Sequence, residues 1–285
     1  TNSAEGAFDN VVGSEDYTIR YIFQVFYNGT ESKAARQVIY SDNKVVCFPV
    51  RLVPDRHYNF VVWADVTTTA GKTLDTIHKL TIAQATAADI HYNTEDLTNI
   101  TLKNTWVAMD ETRDAFTGHF DTAVDGDKTP YNGAKSINFR LTRPFAKLRI
   151  ITTDMEQLND LVIAPNTATV EYTVDHYNAF NAFAGQVIAD SKNRDIKHEN
   201  FVIKAYDDNV DKESMVLFTD YFFANNDVVQ FNLTVVDQNG AVIDDTIAFN
   251  TDINVKRNHL TTITGNILTD SNNVNVIVDP AFDGH

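Results

Sequence analysis

The stretch Tyr17-Thr18-Ile19-Arg20-Tyr21-Ile22-Phe23-Gln24-Val25-Phe26-Tyr27 decides the fold class of this chain. Tyr17, Ile19, Tyr21, Phe23, Val25 and Tyr27 recur at every second position, and that period puts all six on one face of a β-strand. Asn28-Gly29 follows, a pair whose tolerance of positive φ marks a turn. The rhythm then repeats. An apolar run over 45–53 is broken by Pro49, which has no backbone N–H and so predicts an edge strand or a bulge. Residues 58–66 form a third run with Trp63 inside it. Ala168, Val170, Tyr172 and Val174 alternate, as do Val229, Phe231, Leu233 and Val235. Asp237-Gln238-Asn239-Gly240 then leads into an alternating run over 242–249, which reads as a hairpin. Further strands are expected near 201–206, 215–223, 260–267 and 274–278.

Departures from that rhythm mark the joints. Asn93 before Glu95-Asp96-Leu97 predicts a short capped helix. Gly118, Gly126, Pro130 and Gly133 make 118–135 a long polar loop. Along 138–152, Phe139 and Leu141 hold one phase while Ala146, Leu148 and Ile150 hold the other. The change falls at Arg143-Pro144, where a bulge or a change of sheet is expected. The fold class is therefore all-β, with short helical insertions and two sandwich-like domains, 1–142 and 143–285.

Composition narrows the function. The 285 residues carry a net charge of −16, which argues against a nucleic-acid or anionic-membrane partner because both need a basic face. At 43% hydrophobic residues the chain can build a real core. No stretch approaches the ~18 apolar residues of a membrane helix. A single cysteine, Cys47, excludes a disulfide framework, and its apolar neighbours Phe48 and Pro49 predict a buried, inert thiol. Residues 1–16 lack a basic segment followed by an apolar one. The chain is read either as trimmed or as an exported protein that has lost its signal.

Catalytic and cofactor motifs are missing from the sequence. The glycines are scattered, so no phosphate-cradling loop is expected. His198-Glu199 lacks the second histidine of a zinc-protease helix, and no serine sits in a nucleophile elbow. Asp207, Asn209, Asp211 and Glu213 offer oxygens at alternate positions, but Lys212 and Phe218 stand where a calcium loop needs Gly and Glu; a solvated turn is the reading. No catalytic, cofactor-binding or metal residue is assigned, and no cofactor is expected. Trp63, Trp106 and the Tyr221, Phe222, Phe223 cluster could stack on a sugar, the last being the candidate ligand platform, although large rings also fill sandwich cores.

Arg143-Pro144-Phe145-Ala146-Lys147-Leu148-Arg149-Ile150 resembles the Arg-x-x-Ala-Lys-aliphatic strand of Bacteroides-type fimbrillins, the FimA/Mfa-like subunits of type V pili. Four further stretches match in order: the aromatic strand 17–27, Asn59-Phe60-Val61-Val62-Trp63-Ala64-Asp65, Arg113-Asp114-Ala115-Phe116, and Val255-Lys256-Arg257-Asn258-His259-Leu260-Thr261-Thr262-Ile263 with Asp279-Pro280-Ala281-Phe282 behind it. The resemblance implies two transthyretin-like β-sandwich domains, export as a lipoprotein precursor, and display on the outer membrane in a fimbria. It also implies assembly by β-strand exchange with other pilus subunits or with itself. The candidate donor strand is the C-terminal segment with Val274, Val276, Val278, Ala281 and Phe282. The alternative is a monomeric surface module binding host glycan or protein on the same fold. Asp75-Thr76-Ile77, Asp121-Thr122-Ala123 and Asp245-Thr246-Ile247 resemble the O-glycosylation acceptor of exported Bacteroides-type proteins. The family's cleavable arginine loop has no counterpart before Arg20, and its lipid-bearing cysteine has none at Cys47.

Overall fold

A computed structural model describes residues 13–27, 30–31, 36–54, 56–103, 108–122, 136–138, 140–203, 213–270 and 274–280. In chain order the first strands are β1 (Tyr17–Tyr27), β2 (Thr30–Glu31), β3 (Arg36–Tyr40), β4 (Tyr58–Thr68) and β5 (Ile77–Leu80). Helix α1 (Ile82–Thr86) comes next, then β6 (Tyr92–Asn93), β7 (Ile100–Leu102), β8 (Ala115–Asp121), β9 (Phe145–Thr152) and helix α2 (Met155–Asp160). The chain continues through β10 (Pro165–Tyr172), β11 (His176–Tyr177), β12 (Ala179–Asn181), β13 (Gln186–Val187), β14 (Lys192–Arg194) and β15 (Lys197–Val202). It ends with β16 (Met215–Phe223), β17 (Asn226–Asp237), β18 (Val242–Lys256), β19 (Leu260–Gly265) and β20 (Val274–Asp279). The all-β reading holds, and the helices are short insertions. Two compact units result. Unit 1 takes the described residues within 1–105, 111–144 and 179–188; unit 2 takes those within 106–110, 145–178 and 189–285.

Unit 1 is built on the antiparallel sheet β5-β3-β1-β4-β8, with β2 paired to β1. β1 and β4 pair along their whole length, from Tyr17↔Thr68 to Tyr27↔Tyr58. Tyr21, Phe23, Phe60 and Val62 fill one face, as the alternation of β1 predicts. The other face is buried too: Thr18, Arg20, Ile22, Gln24 and Phe26 are all nearly inaccessible. Ala85, Tyr92, Leu97, Ile100 and Phe180 are buried in the same unit, and the small sheet β13-β12-β7-β6 brings the last strands of this layer together.

Several expectations need correction in unit 1. Residues 45–53 are not a strand. Val46, Phe48 and Leu52 do pack on the β1 face, with Phe48 stacked on Phe23 at 5.0 Å, but the backbone makes no ladder. Alternation records burial of every second side chain, and it does not by itself supply a partner strand. The same geometry turns Cys47 outward, so the thiol is exposed rather than buried. No helix starts at Asn93, whose side chain instead accepts from the Glu95 N–H at 3.1 Å. The capped helix is α1, where Thr81 and Gln84 form a capping box. Gly118 lies inside β8, not in a loop, and residues 123–135 fall outside the described chain.

Unit 2 is a two-sheet sandwich. One sheet runs β15-β10-β17-β18; the other runs β14-β11-β16-β9-β19-β20, with β19 parallel to β9 and every other pairing antiparallel. Leu148, Ile150, Leu217 and Phe222 of one sheet share a core with Val170, Phe231, Leu233 and Phe249 of the other. The expected hairpin joins β17 to β18: Asp237 Oδ1 accepts from the Asn239 and Ala241 N–H groups at 2.8 Å each, and Gly240 supplies φ +86°. The phase change at Arg143-Pro144 has a simple cause. Leu141 packs on the unit 1 core while Ala146, Leu148 and Ile150 pack on the unit 2 core, and the strand begins only at Phe145. Phe139 lies outside the described residues.

Candidate functional site

The motifs behind the family resemblance turn out to be buried joints. In unit 1, Arg20 of β1 is inaccessible and forks onto Asp65 of β4, with Nε–Oδ1 at 2.8 Å and Nη2–Oδ2 at 2.6 Å. Its remaining Nη1 donates to Ala85 O and faces Asp89, each at 2.8 Å, and Trp63 Nε1 donates to Asp65 at 3.1 Å. Burial alone would lower the pKa of this guanidinium, but the two carboxylates outweigh it and hold Arg20 more firmly protonated than a free arginine. Arg143 repeats the arrangement on Asp114 at 2.8 and 2.9 Å, with its guanidinium 4.6 Å from the centre of the Phe116 ring. In unit 2, Asn258 N–H donates to Phe145 O at 2.7 Å, and Lys147 N–H to His259 O at 3.1 Å. These links lock the chain register.

The candidate ligand platform fares differently from its expectation. Tyr221, Phe222 and Phe223 are buried on β16. Phe222 belongs to the sandwich core, while Tyr221 and Phe223 pack on Phe145 at 5.8 and 5.9 Å. A ring without an exposed face cannot stack on a sugar, so this assignment is corrected: the cluster is core. Trp63 is likewise buried, and Trp106 lies outside the described residues, as do Asp207, Asn209 and Asp211. Among the described residues no group of His, Cys, Asp or Glu could hold a metal ion. Of the three acceptor-like threonines, Thr76 and Thr246 are exposed and Thr122 is buried.

What faces solvent is aliphatic strand. β20 closes one edge of its sheet, paired to β19 from Leu260↔Asp279 to Gly265↔Val274. Only Val274 of this strand packs against the core cluster. Val276 is 42% exposed, Val278 38% and Ile277, on the opposite face, 51%. Exposure on both faces of an edge strand is the feature that folded proteins ordinarily avoid. Ala281 and Phe282 fall outside the described residues. Ile277 was missed in the sequence because alternation selects one face only.

A second aliphatic strip was not foreseen. Val202, Thr167, Val236 and Val242 stand abreast in one rung across β15, β10, β17 and β18, and Val202 and Val242 are exposed. Leu161 and Val162 protrude beyond α2, with Val162 in the left-handed region at φ +58°. Gln238 pins that loop, accepting from Ala164 N–H at 2.7 Å and donating to Val162 O at 2.9 Å. Only pairing register reveals the strip, because its members lie on four separate strands.

A family model matches residues 1–285. The chain belongs to DUF6562, a family of unknown function. No curated protein matches it. Among solved structures, the tip fimbrial protein Mfa3 of Porphyromonas gingivalis, with a C-terminal truncation, aligns over 94% of this chain and 95% of its own at TM-score 0.50 and 12% identity. A candidate cell adhesion protein of Bacteroides eggerthii covers 95% and 91% at TM-score 0.43 and 15% identity, and one of Bacteroides uniformis 94% and 91% at 0.45 and 11%. The Mfa3 likeness gives this DUF6562 chain the fold of a fimbrial protein, as the fimbrillin resemblance implied. No helix among the described residues is long and apolar enough to cross a membrane.

Proposed function

We propose that the chain is a fimbrillin-like cell-surface protein, a structural or adhesive subunit of a type V-like pilus that assembles by β-strand exchange and catalyses nothing. It is exported as a lipoprotein precursor, displayed on the outer membrane, and partnered by other pilus subunits or copies of itself. The observation that carries this reading is β20, a C-terminal edge strand bearing exposed valines and isoleucine on both faces. Such a strand can leave its edge at little cost in core packing and add to a neighbour's sheet, supplying main-chain hydrogen bonds and alternating side chains for pockets. The fold shared with a fimbrial tip protein supports the same reading.

Light scattering before and after limited digestion with an Arg-specific protease tests it. Growth into polymers after one cut is expected, and Val276→Asp with Val278→Asp should stay monomeric while remaining folded, because both positions are partly solvent-exposed and lie outside the core cluster. A protein that stays monomeric whether cut or not, or a double variant that assembles normally, overturns the strand-exchange role.

A further inference from the structure

The His176 side chain is buried in unit 2, and its Nε2 has no hydrogen-bond partner. Its ring stands edge-on to Tyr172 at 4.4 Å and to Phe222 at 4.9 Å. Nearby, Asp220 Oδ2 is already engaged by Tyr172 OH and His198 Nε2, both at 3.0 Å, so this carboxylate is shared before His176 titrates. The other charged groups facing the ring are Lys192 of β14 and Asp227 of β17, which pair with each other at 3.1 Å. Arg194 of β14 stands opposite His176 in register. Arg194 also donates to Asn178 Oδ1 at 3.0 Å.

The backbone holds this region weakly. β11 meets β16 through one register pair, Tyr177↔Phe223, and β14 lies outside β11 at the edge of the sheet. With so little ladder to β16, side chains help hold the ribbon: the His176 ring wedged among aromatic side chains, and Lys192 on Asp227 at 3.1 Å and over the Tyr177 ring at 5.1 Å. A charged imidazolium with an unpartnered N–H is poorly tolerated in that cage.

We propose that the β11–β14 ribbon is an acid-released cover on this edge of the six-stranded sheet, with His176 as its trigger. The sign follows from burial, which with the flanking Lys192 and His198 outweighs the attraction of Asp220 and Asp227 and pushes the His176 pKa down from 6.5 to about 4. The closed ribbon keeps its full advantage above pH 6.5, loses it as the pH falls toward 4, and loses nothing further below that. Opening is therefore favoured roughly 30-fold more at pH 5 than at pH 7.5.

Hydrogen exchange of the full chain, corrected for intrinsic exchange rates, should show that fall in protection at 176–178 and 192–194 between pH 7.5 and pH 5. β9 and β19 should stay protected. His176→Phe keeps the ring packing without a titratable group and should abolish the local pH dependence. An NMR titration of the unmodified protein should find His176 neutral at pH 5.5, and this arm decides even if the variant fails to fold. A fall shared with β9 and β19, one retained in His176→Phe, or a His176 that titrates at its ordinary value overturns the proposal.

Discussion

The central sheet of unit 1 and the β15-β10-β17-β18 sheet of unit 2 are made by similar strands under different cover. β17 alternates cleanly, with Val229, Phe231, Leu233 and Val235 inside and Asn232 and Thr234 outward. β1 has no outward side along most of its length: Arg20 and Gln24 are as buried as Tyr21 and Phe23. A sheet covered on one face needs one apolar set. A sheet covered on both faces must also pair every polar group it buries. Unit 1 meets that demand with arginine forks rather than with more aliphatic residues.

The largest expected effect tests whether those forks are needed. Arg20→Met leaves Asp65 and Asp89 buried without their cation and should cost about 3–5 kcal/mol in urea unfolding. Arg20→Met with Asp65→Leu should recover part of the loss, because removing both partners avoids stranding one charge of that pair. A single variant that unfolds like the parent would mean that water reaches this face, and the contrast between the sheets would collapse. On the other side, Leu233→Ala in the unit 2 core should cost about 2–5 kcal/mol through lost burial and a residual cavity. Its loss should show no salt dependence, since no charge is involved.

This contrast also explains what could be read from the chain. In unit 2 the strands β10, β16, β17, β18, β19 and β20 were all legible. The cleanest were β10 and β17, where one face meets the core and the other is free to be polar, whereas β16 is buried on both faces and β20 exposes aliphatic side chains on both. In unit 1 the period-two rule found β1 and β4 but misread 45–53, where Val46, Phe48 and Leu52 alternate against a sheet without joining one. It also hid the second face of β1, since Arg20 and Gln24 look like solvent residues until Asp65 and Arg36 are brought beside them. The motifs were legible as family marks. Their purpose was not, because Asp114 and Arg143 meet across 29 positions and sequence spacing carries no trace of a bidentate pair. Candidate surface residues suffered the opposite error. Aromatic clusters attract a binding interpretation, yet Tyr221, Phe222 and Phe223 are packed away, while the exposed aliphatics Val202 and Val242 become neighbours only through register.

The smallest effect sharpens the comparison most. Thr234 and Thr246 on β17 and β18 share a hydroxyl–hydroxyl hydrogen bond of 3.0 Å on the outer face. If that face is open to water, each hydroxyl exchanges its partner for solvent at little cost. A double-mutant cycle of Thr234→Ala and Thr246→Ala should then give a coupling energy of about 0.5 kcal/mol or less. A coupling well above 1 kcal/mol would mean that water is excluded from the pair. The outer face of β17 would then be covered in solution, as both faces of β1 are, and the aliphatic strip of Val202, Val236 and Val242 at its end would be part of what is covered. A small coupling leaves the sheet one-sided, with the strip as an exposed rim on an otherwise polar surface.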